Sequence, residues 1–256
     1  MRYAVISDPH SNLEALTAVL SEIDAFGTDE TLCLGDLVGY NADPNECVEL
    51  IRARGIRCVM GNHDSRASGV EEPGGFNPIA AEALLWTREK LTEENRAFIE
   101  KLPRAIEIET GEEAGEGEKN GKKFLAVHGR VNDTDGYILG PRDAVDNFRL
   151  LEETGGPGLC FFGHTHVRVA YVETGGRVTV RMDETLEMNV GSNYLVNPGS
   201  VGQPRDGDPR AAFLTFDSER MEIESHRVAY DIELTARKIM DSGLPSMLAE
   251  RLKAGW

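Results

Sequence analysis

Apolar residues fall into short runs and helical stripes that alternate from the first positions onward. Tyr3-Ala4-Val5-Ile6, Thr31-Leu32-Cys33-Leu34 and Ile56-Arg57-Cys58-Val59-Met60 read as buried strands, ending at Asp8, Asp36 and Asn62. Between the first two, Leu13, Leu16, Leu20 and Ile23 recur at helical spacing, and Ser11 with Glu14 matches a capping box. Between the second and third, Asp43-Pro44-Asn45-Glu46 is another helix start, with proline at the first helical position and Val48 and Ile51 following. This β-α-β-α-β run predicts a parallel sheet covered on both faces.

Farther along, residues 69–76 form a Gly/Glu/Pro loop, and Asn77-Pro78 opens a helix that carries Leu84, Leu85 and Trp86. A further helix starts at Thr92. Residues 104–110 and 123–128 read as strands, and the Gly/Glu-rich stretch 111–122 between them predicts an exposed hairpin loop. A helix follows Pro141, a strand covers 159–162, and strands recur from 167 to about 227, with a hairpin turn at Thr174-Gly175-Gly176-Arg177. Residues 231–253 predict two short amphipathic helices. No linker splits the pattern, so one mixed α/β domain is expected, with two packed sheets and helices outside. Residues 1–228 form that domain, and 229–256 are a helical extension packed on it.

Composition narrows the function classes. The 256 residues carry 27 Lys and Arg against 44 Asp and Glu, a formal charge of −17. Long-range attraction to a nucleic-acid polymer or an anionic membrane is therefore not expected. A phosphate substrate would have to be drawn locally, by metal ions that invert the charge of their pocket. The four cysteines form no C-x-x-C pair, and Cys33, Cys58 and Cys160 lie in apolar runs, as buried reduced thiols do. Met1-Arg2-Tyr3 runs directly into a strand, and no apolar stretch reaches the roughly 20 residues that span a bilayer. A cytoplasmic protein is expected.

Chemistry concentrates at the strand ends. Ser7-Asp8-Pro9-His10, Leu34-Gly35-Asp36, Gly61-Asn62-His63-Asp64, Val127-His128-Gly129 and Gly163-His164-Thr165-His166 contain five of the chain's six histidines. Ligands bind at such strand ends in open α/β sheets. The glycines at 35, 61, 129 and 163 permit tight turns or close approach. Asp8 and His10 are two apart, so an extended segment would aim both the same way, and His164 and His166 share that relation. The donors are oxygen and nitrogen without thiolate, which suits manganese, iron, zinc or nickel better than calcium. Seven candidate ligands are too many for one tetrahedral zinc. They suit two divalent ions roughly 3.5–4 Å apart that share one carboxylate, polarise a phosphoryl oxygen and hold a bridging hydroxide for in-line attack. His63 is left over as a proton donor to the leaving oxygen or a transition-state stabiliser, oriented by Asp64. The chemistry expected is metal-assisted hydrolysis of a phosphate ester.

In this order, Asp8-Pro9-His10, Gly35-Asp36, Gly61-Asn62-His63-Asp64, His128-Gly129 and Gly163-His164-Thr165-His166 resemble the calcineurin-like metallophosphoesterase superfamily. Gly35-Asp36-Leu37-Val38-Gly39-Tyr40 and the segment from Asn197-Pro198-Gly199-Ser200 to Arg205-Asp206 look like its small bacterial and archaeal phosphodiesterase branch. The resemblance implies a four-layer α/β/β/α sandwich. It also implies one metal on Asp8, His10 and His166, a second on Asn62, His128 and His164, Asp36 bridging them, and His63 as acid with Asp64 its partner. Manganese is the expected metal, with iron, nickel or zinc as alternatives. Pro9 and Ser11 stand where the family often has an aliphatic residue and glycine. Gly129-Arg130-Val131 stands where relatives more often show Ser-Pro after His-Gly, so no relative's substrate is carried over.

Outside these motifs, Arg130 and Arg205 are candidates for pairing with a phosphate. Asn197-Pro198-Gly199-Ser200 is expected to brace the site wall, Tyr40 and Asn12 to pack or cap, and His226 to sit in a strand without function. Loops 66–76 and 129–141 are expected to line the substrate side. The expected activity is a phosphodiesterase acting on a small molecule or nucleotide. The alternatives are a monoesterase, protein phosphatase or dinucleoside polyphosphate hydrolase, and beyond catalysis a scaffold that keeps the fold for partner binding.

Overall fold

The computed structural model describes residues 1–110 and 122–256; the expected 111–122 hairpin loop lies outside the described residues except for its last position. In chain order the elements are β1 (Arg2–Ile6), α1 (Leu13–Phe26), β2 (Glu30–Cys33), α2 (Pro44–Ala53), β3 (Arg57–Cys58), α3 (Asn62–Ser68), α4 (Pro78–Lys90), α5 (Glu93–Ile99), β4 (Ala105–Thr110), β5 (Lys122–Val127) and α6 (Pro141–Glu153). There follow β6 (Leu159–Phe161), β7 (Val169–Thr174), β8 (Arg177–Arg181), β9 (Thr185–Glu187), β10 (Ser192–Asn197), β11 (Ala211–Asp217), β12 (Glu222–Val228), α7 (Ile232–Asp241) and α8 (Ser246–Ala254).

Two six-stranded mixed sheets form, ordered β3-β2-β1-β11-β12-β9 and β4-β5-β6-β10-β7-β8. Strand alternation builds the layers. On β1, Tyr3 and Val5 point to the space between the sheets, where they meet Phe124, Phe161 and Phe216. Ala4 and Ile6 point the other way, to Leu16, Leu20 and Val48 on α1 and α2. On the far sheet, Cys160 and Leu195 face Phe148 and Leu151 of α6. The result is the expected mixed α/β sandwich of two packed sheets with helices outside.

β1, β2 and β3 are parallel, as the opening pattern predicts. Their C-terminal ends, with those of β5 and β6, open on the same region. Two helix starts differ from expectation. Asn12, not Ser11, caps α1 by accepting the Ala15 N–H at 3.1 Å, while Ser11 Oγ accepts the Gly39 N–H. Asp43 makes no side-chain cap of α2. Its carboxylate instead accepts Lys238 Nζ of α7 at 2.8 Å, alongside Glu14 of α1. The third strand is shorter than expected, and α3 starts at once after Gly61, where the sequence pattern predicts only a strand end and a loop. His226 stacks on Phe213 and shares a hydrogen bond with Thr215, a packing role. Among the described residues, no helix is long and apolar enough to cross a membrane.

Candidate metal centre

Four of the five motifs sit in loops leaving strands, Gly61-Asn62-His63-Asp64 opens α3, and these segments are laced together by their backbones. Asp8 N–H donates to the Gly35 carbonyl, His10 N–H to that of Asp36 and Gly163 N–H to that of His128. The Asn197 to Ser200 turn ties the assembly from outside. Asn197 Nδ2 donates to the Gly163 carbonyl at 2.7 Å and Ser200 Oγ to the Asp8 carbonyl at 2.9 Å.

The ligand pairs do not share a direction by being extended. Asp8, His10, Ser11, Asp36, Tyr40, His164 and His166 all have positive φ, and among the described residues only one other non-glycine residue, Met221, does. The left-handed backbone aims these side chains inward. Each such residue costs about 1–3 kcal/mol and persists where the surroundings over-determine it, which happens chiefly at functional sites.

The imidazoles reveal what the centre lacks. His10 Nδ1 lies 3.0 Å from the Val38 carbonyl, His166 Nδ1 2.6 Å from that of Gln203, and His128 Nδ1 2.8 Å from that of Leu34. His164 Nε2 lies 3.2 Å from the Asp135 carbonyl. A carbonyl only accepts, so these nitrogens carry the ring protons and the opposite nitrogens are left bare. Those bare nitrogens converge: His10 Nε2 on His166 Nε2 at 3.0 Å, and His128 Nε2 on His164 Nδ1 at 3.2 Å.

Carboxylates face the same points. Asp8 Oδ2 accepts from Ser7 Oγ and the His164 N–H, and Asp36 Oδ1 accepts the His63 N–H. Their other oxygens, Asp8 Oδ1 and Asp36 Oδ2, are buried without a hydrogen-bond partner. Asp8 Oδ1 lies 3.3 Å from His166 Nε2. Asp36 Oδ2 lies between the two pairs, 3.5 Å from His10 Nε2 and 3.3 Å from His128 Nε2. Asn62 Oδ1 completes the second group, 3.1 Å from His128 Nε2. Lone pairs facing lone pairs, with orphaned carboxylate oxygens beside them, fit cations bound at both points.

Titration agrees. Burial holds His10 and His166 below their ordinary values, lowers His63 to about 4 and lowers His164 to about 3. Burial opposes charge on His128 too, but Asp36, then Asp8 and the Leu34 carbonyl, outweigh it and lift the ring to about 10. Burial likewise opposes ionisation of Asp8 and Asp36, yet neighbouring histidines, His166 first for Asp8 and His128 first for Asp36, hold both below the carboxylate range. At neutral pH two carboxylates thus face one imidazolium. The proton on His128 relieves its contact with His164, whereas His10 and His166 are both neutral.

His63 is held by packing. Its ring lies 4.5 Å from Tyr40, 4.5 Å from Phe76 and 4.8 Å from His10, centroid to centroid. Gly39, at φ 100°, runs so close that an added Cβ would lie 2.5 Å from His63 Nδ1. The expected Asp64–His63 contact is absent. Asp64 accepts the N–H groups of Val38 and Gly61, which closes the turn into α3, and His63 Nδ1 has no partner. Burial and then Asp36 raise Asp64 to about 7.

The centre opens into a cavity of about 380 Å³. Asp36, Asn62, His63, His164 and His166 lie on its walls with Tyr40, Tyr137 and Arg205. Tyr40 therefore faces the cavity, contrary to the packing role expected, whereas Asn12 caps as expected. Arg130 does not line it: Nη2 donates to Asp143 at 3.0 Å and Nε to the Tyr137 carbonyl, fastening the 129–141 loop to α6. A larger groove of about 630 Å³ between α6 and the β7–β8 hairpin has no histidine and no aspartate on its walls. The loops 66–76 and 129–141, expected on the substrate side, reach the cavity at Gly75, Phe76 and Tyr137, whereas Asn77, Arg251 and Trp256 on its rim lie outside every motif and loop the sequence singles out. The last two lie on and just after α8, whose apolar periodicity advertises packing and nothing else.

The chain matches the calcineurin-like phosphoesterase superfamily domain over residues 1–220 and belongs to that superfamily. It is 41% identical over 252 residues to an uncharacterized protein of Methanocaldococcus jannaschii, covering 98% of this chain and 97% of the relative. The crystal structure of a metallophosphoesterase from Sphaerobacter thermophilus superposes with a TM-score of 0.81 at 38% identity, covering 100% of this chain and 99% of that one. A hypothetical protein from Pyrococcus horikoshii OT3 shares the fold, with a TM-score of 0.79 at 21% identity over 100% of this chain and 98% of its own. The superfamily depends on a pair of metal ions, and membership implies a metal-dependent phosphoric ester hydrolase.

Proposed function

We propose that the chain is a dinuclear phosphodiesterase acting on a small-molecule or nucleotide diester. The observation that carries the reading is the convergence of bare imidazole nitrogens and orphaned carboxylate oxygens at two adjacent points, with Asp36 Oδ2 between them. Asp8, His10 and His166 would hold one ion, Asn62, His128 and His164 the other, and Asp36 both. Manganese fits the mixed oxygen and nitrogen set, as do iron, nickel and zinc. When bound, the ions supply Lewis acidity toward phosphoryl oxygens and acidify water.

The chain's own groups do the rest. Arg205, whose guanidinium reaches Tyr40 Oη and Gln203 Oε1 at the cavity wall, would orient the phosphate. Burial keeps the His63 ring neutral at pH 7, which favours the stabilising role over the acid role: its N–H would donate to the oxygen on which charge develops. Asp64 would act on His63 only through the turn it closes. Residues 1–228 with the 229–256 helices would work as one unit. The four cysteines are all buried free thiols, in keeping with a cytoplasmic address.

The test is hydrolysis of bis(p-nitrophenyl) phosphate and p-nitrophenyl phosphate by chelator-stripped protein with Mn, Ni, Zn, Fe(II) or Mg restored. The proposal expects metal-restored diester cleavage, lost in Asp36→Ala and lowered about 10²–10³-fold in kcat in His63→Ala. Preference for the monoester would replace the diesterase reading with a phosphatase. Bound metal without turnover of either would replace it with a scaffold.

A further inference from the structure

Part of the cavity rim is built by a helix outside residues 1–220, the span matched by the family. On α8, Leu248, Ala249 and Leu252 are buried against α4 and α7. This seating leaves Arg251 at the cavity edge. Directly after the helix, Gly255 is buried at φ 69°, and its missing side chain lets it lie against the 208–209 backbone, where a Cβ would approach Asp208 to 2.8 Å. The Gly255 carbonyl accepts the Gly207 N–H at 2.9 Å. These contacts fasten Trp256 to the loop that carries Arg205.

Charge sets this rim apart. The chain carries a formal −17, and three partly buried arginines near the site find acids: Arg66 pairs with Asp135, Arg130 with Asp143 and Arg227 with Asp206. Arg205 and Arg251 do not. Among the described residues neither pairs with a carboxylate; Arg66 and Arg168 share their orphaned buried Nε, but of the four only Arg205 and Arg251 line the cavity. Arg251 lies 5.7 Å from the Trp256 ring centroid, and Trp256 is 56% exposed. Two unpaired guanidiniums beside an exposed ring exceed what a single diester anion needs, because the ions would already neutralise that group.

We propose that Arg251 and Trp256, on the same cavity as Arg205, form a second subsite that takes a further phosphate of the substrate and a planar ring attached to it. The inference rests on the phosphoesterase reading for what occupies the other end of the cavity. It assigns specificity to α8: Arg251 chelates a phosphate away from the reacting one, and Trp256 stacks the ring.

Calorimetric titration of manganese-loaded protein with ADP and with inorganic phosphate tests it. The expected result is ADP binding at least ten-fold tighter than inorganic phosphate, with ADP affinity falling ten-fold or more in Arg251→Ala and in Trp256→Ala. Arg251→Lys, which keeps the charge but not the fork, should fall between. Lys253→Ala, on the same helix and paired outward to Glu233, should bind ADP as the native chain does. ADP binding no tighter than inorganic phosphate, or undiminished in the Arg251 and Trp256 variants, overturns the subsite. Should Arg251→Ala not melt cooperatively, Arg251→Lys and Trp256→Ala decide. Diester hydrolysis by the native chain, measured alongside, separates the two readings. ADP binding without hydrolysis sinks the phosphoesterase and keeps the subsite, and hydrolysis without the α8 effect sinks the subsite alone.

Discussion

His128 carries a proton that the centre needs only while no ion is bound. In an unfolded chain its pKa is about 6.5, and in the fold it is lifted to about 10. A raised histidine contributes stability that is complete below the unfolded value and is lost as pH rises through the folded one. Chelator-treated protein should therefore lose stability between pH 7 and pH 9, by up to about 1.4 kcal/mol per pH unit for this proton. The loss should vanish with metal bound, because the ion displaces the proton. Urea unfolding at the two pH values checks both statements, and equal midpoints without metal would contradict the first. Gly39→Ala is a second residue-level prediction. The new methyl must enter a left-handed position and displace the His63 ring, so kcat should fall about 10²-fold while metal content holds. The ligand types were legible in sequence because five of the six histidines fall in five short motifs. What holds His63 was not: Gly39, Tyr40 and Phe76 are ordinary turn and packing residues until the chain brings them against one ring.

At the scale of elements, the strands and amphipathic helices follow from their periodicities, and their failures have local causes. α3 was illegible because Asn62-His63-Asp64-Ser65-Arg66-Ala67-Ser68 has no apolar stripe. Its turn is closed by Asp64 accepting two backbone N–H groups. Asp64→Asn keeps only one acceptor oxygen and should cost about 1–3 kcal/mol, read as a lowered melting temperature. Asp43 read as a cap because local spacing cannot show a lysine far along the chain. Lys238 of α7 in fact bridges Asp43 and Glu14 across three helices, each group only partly exposed. Lys238→Met would leave two neighbouring carboxylates without their cation. A loss of about 1–3 kcal/mol is expected, smaller than for a fully buried pair, with a melting temperature lower by about 2–4 °C for each kcal/mol.

Across the whole molecule, two mixed sheets bring five loops from distant parts of the chain to one edge, and hydrogen bonds between those loops hold seven strained residues in place. The sandwich was legible from the alternation of strands and helices. The join between α8 and the cavity was not, because it depends on Gly255 seating against residues 208–209. The central claim is that this edge holds two ions sharing Asp36. Metal content per chain, measured on manganese-loaded native protein and on Asp36→Asn, tests it most directly. Two ions in the native chain, falling below one in the variant, is the predicted result. One ion or none in the native chain, or two retained after Asp36→Asn, would contradict it.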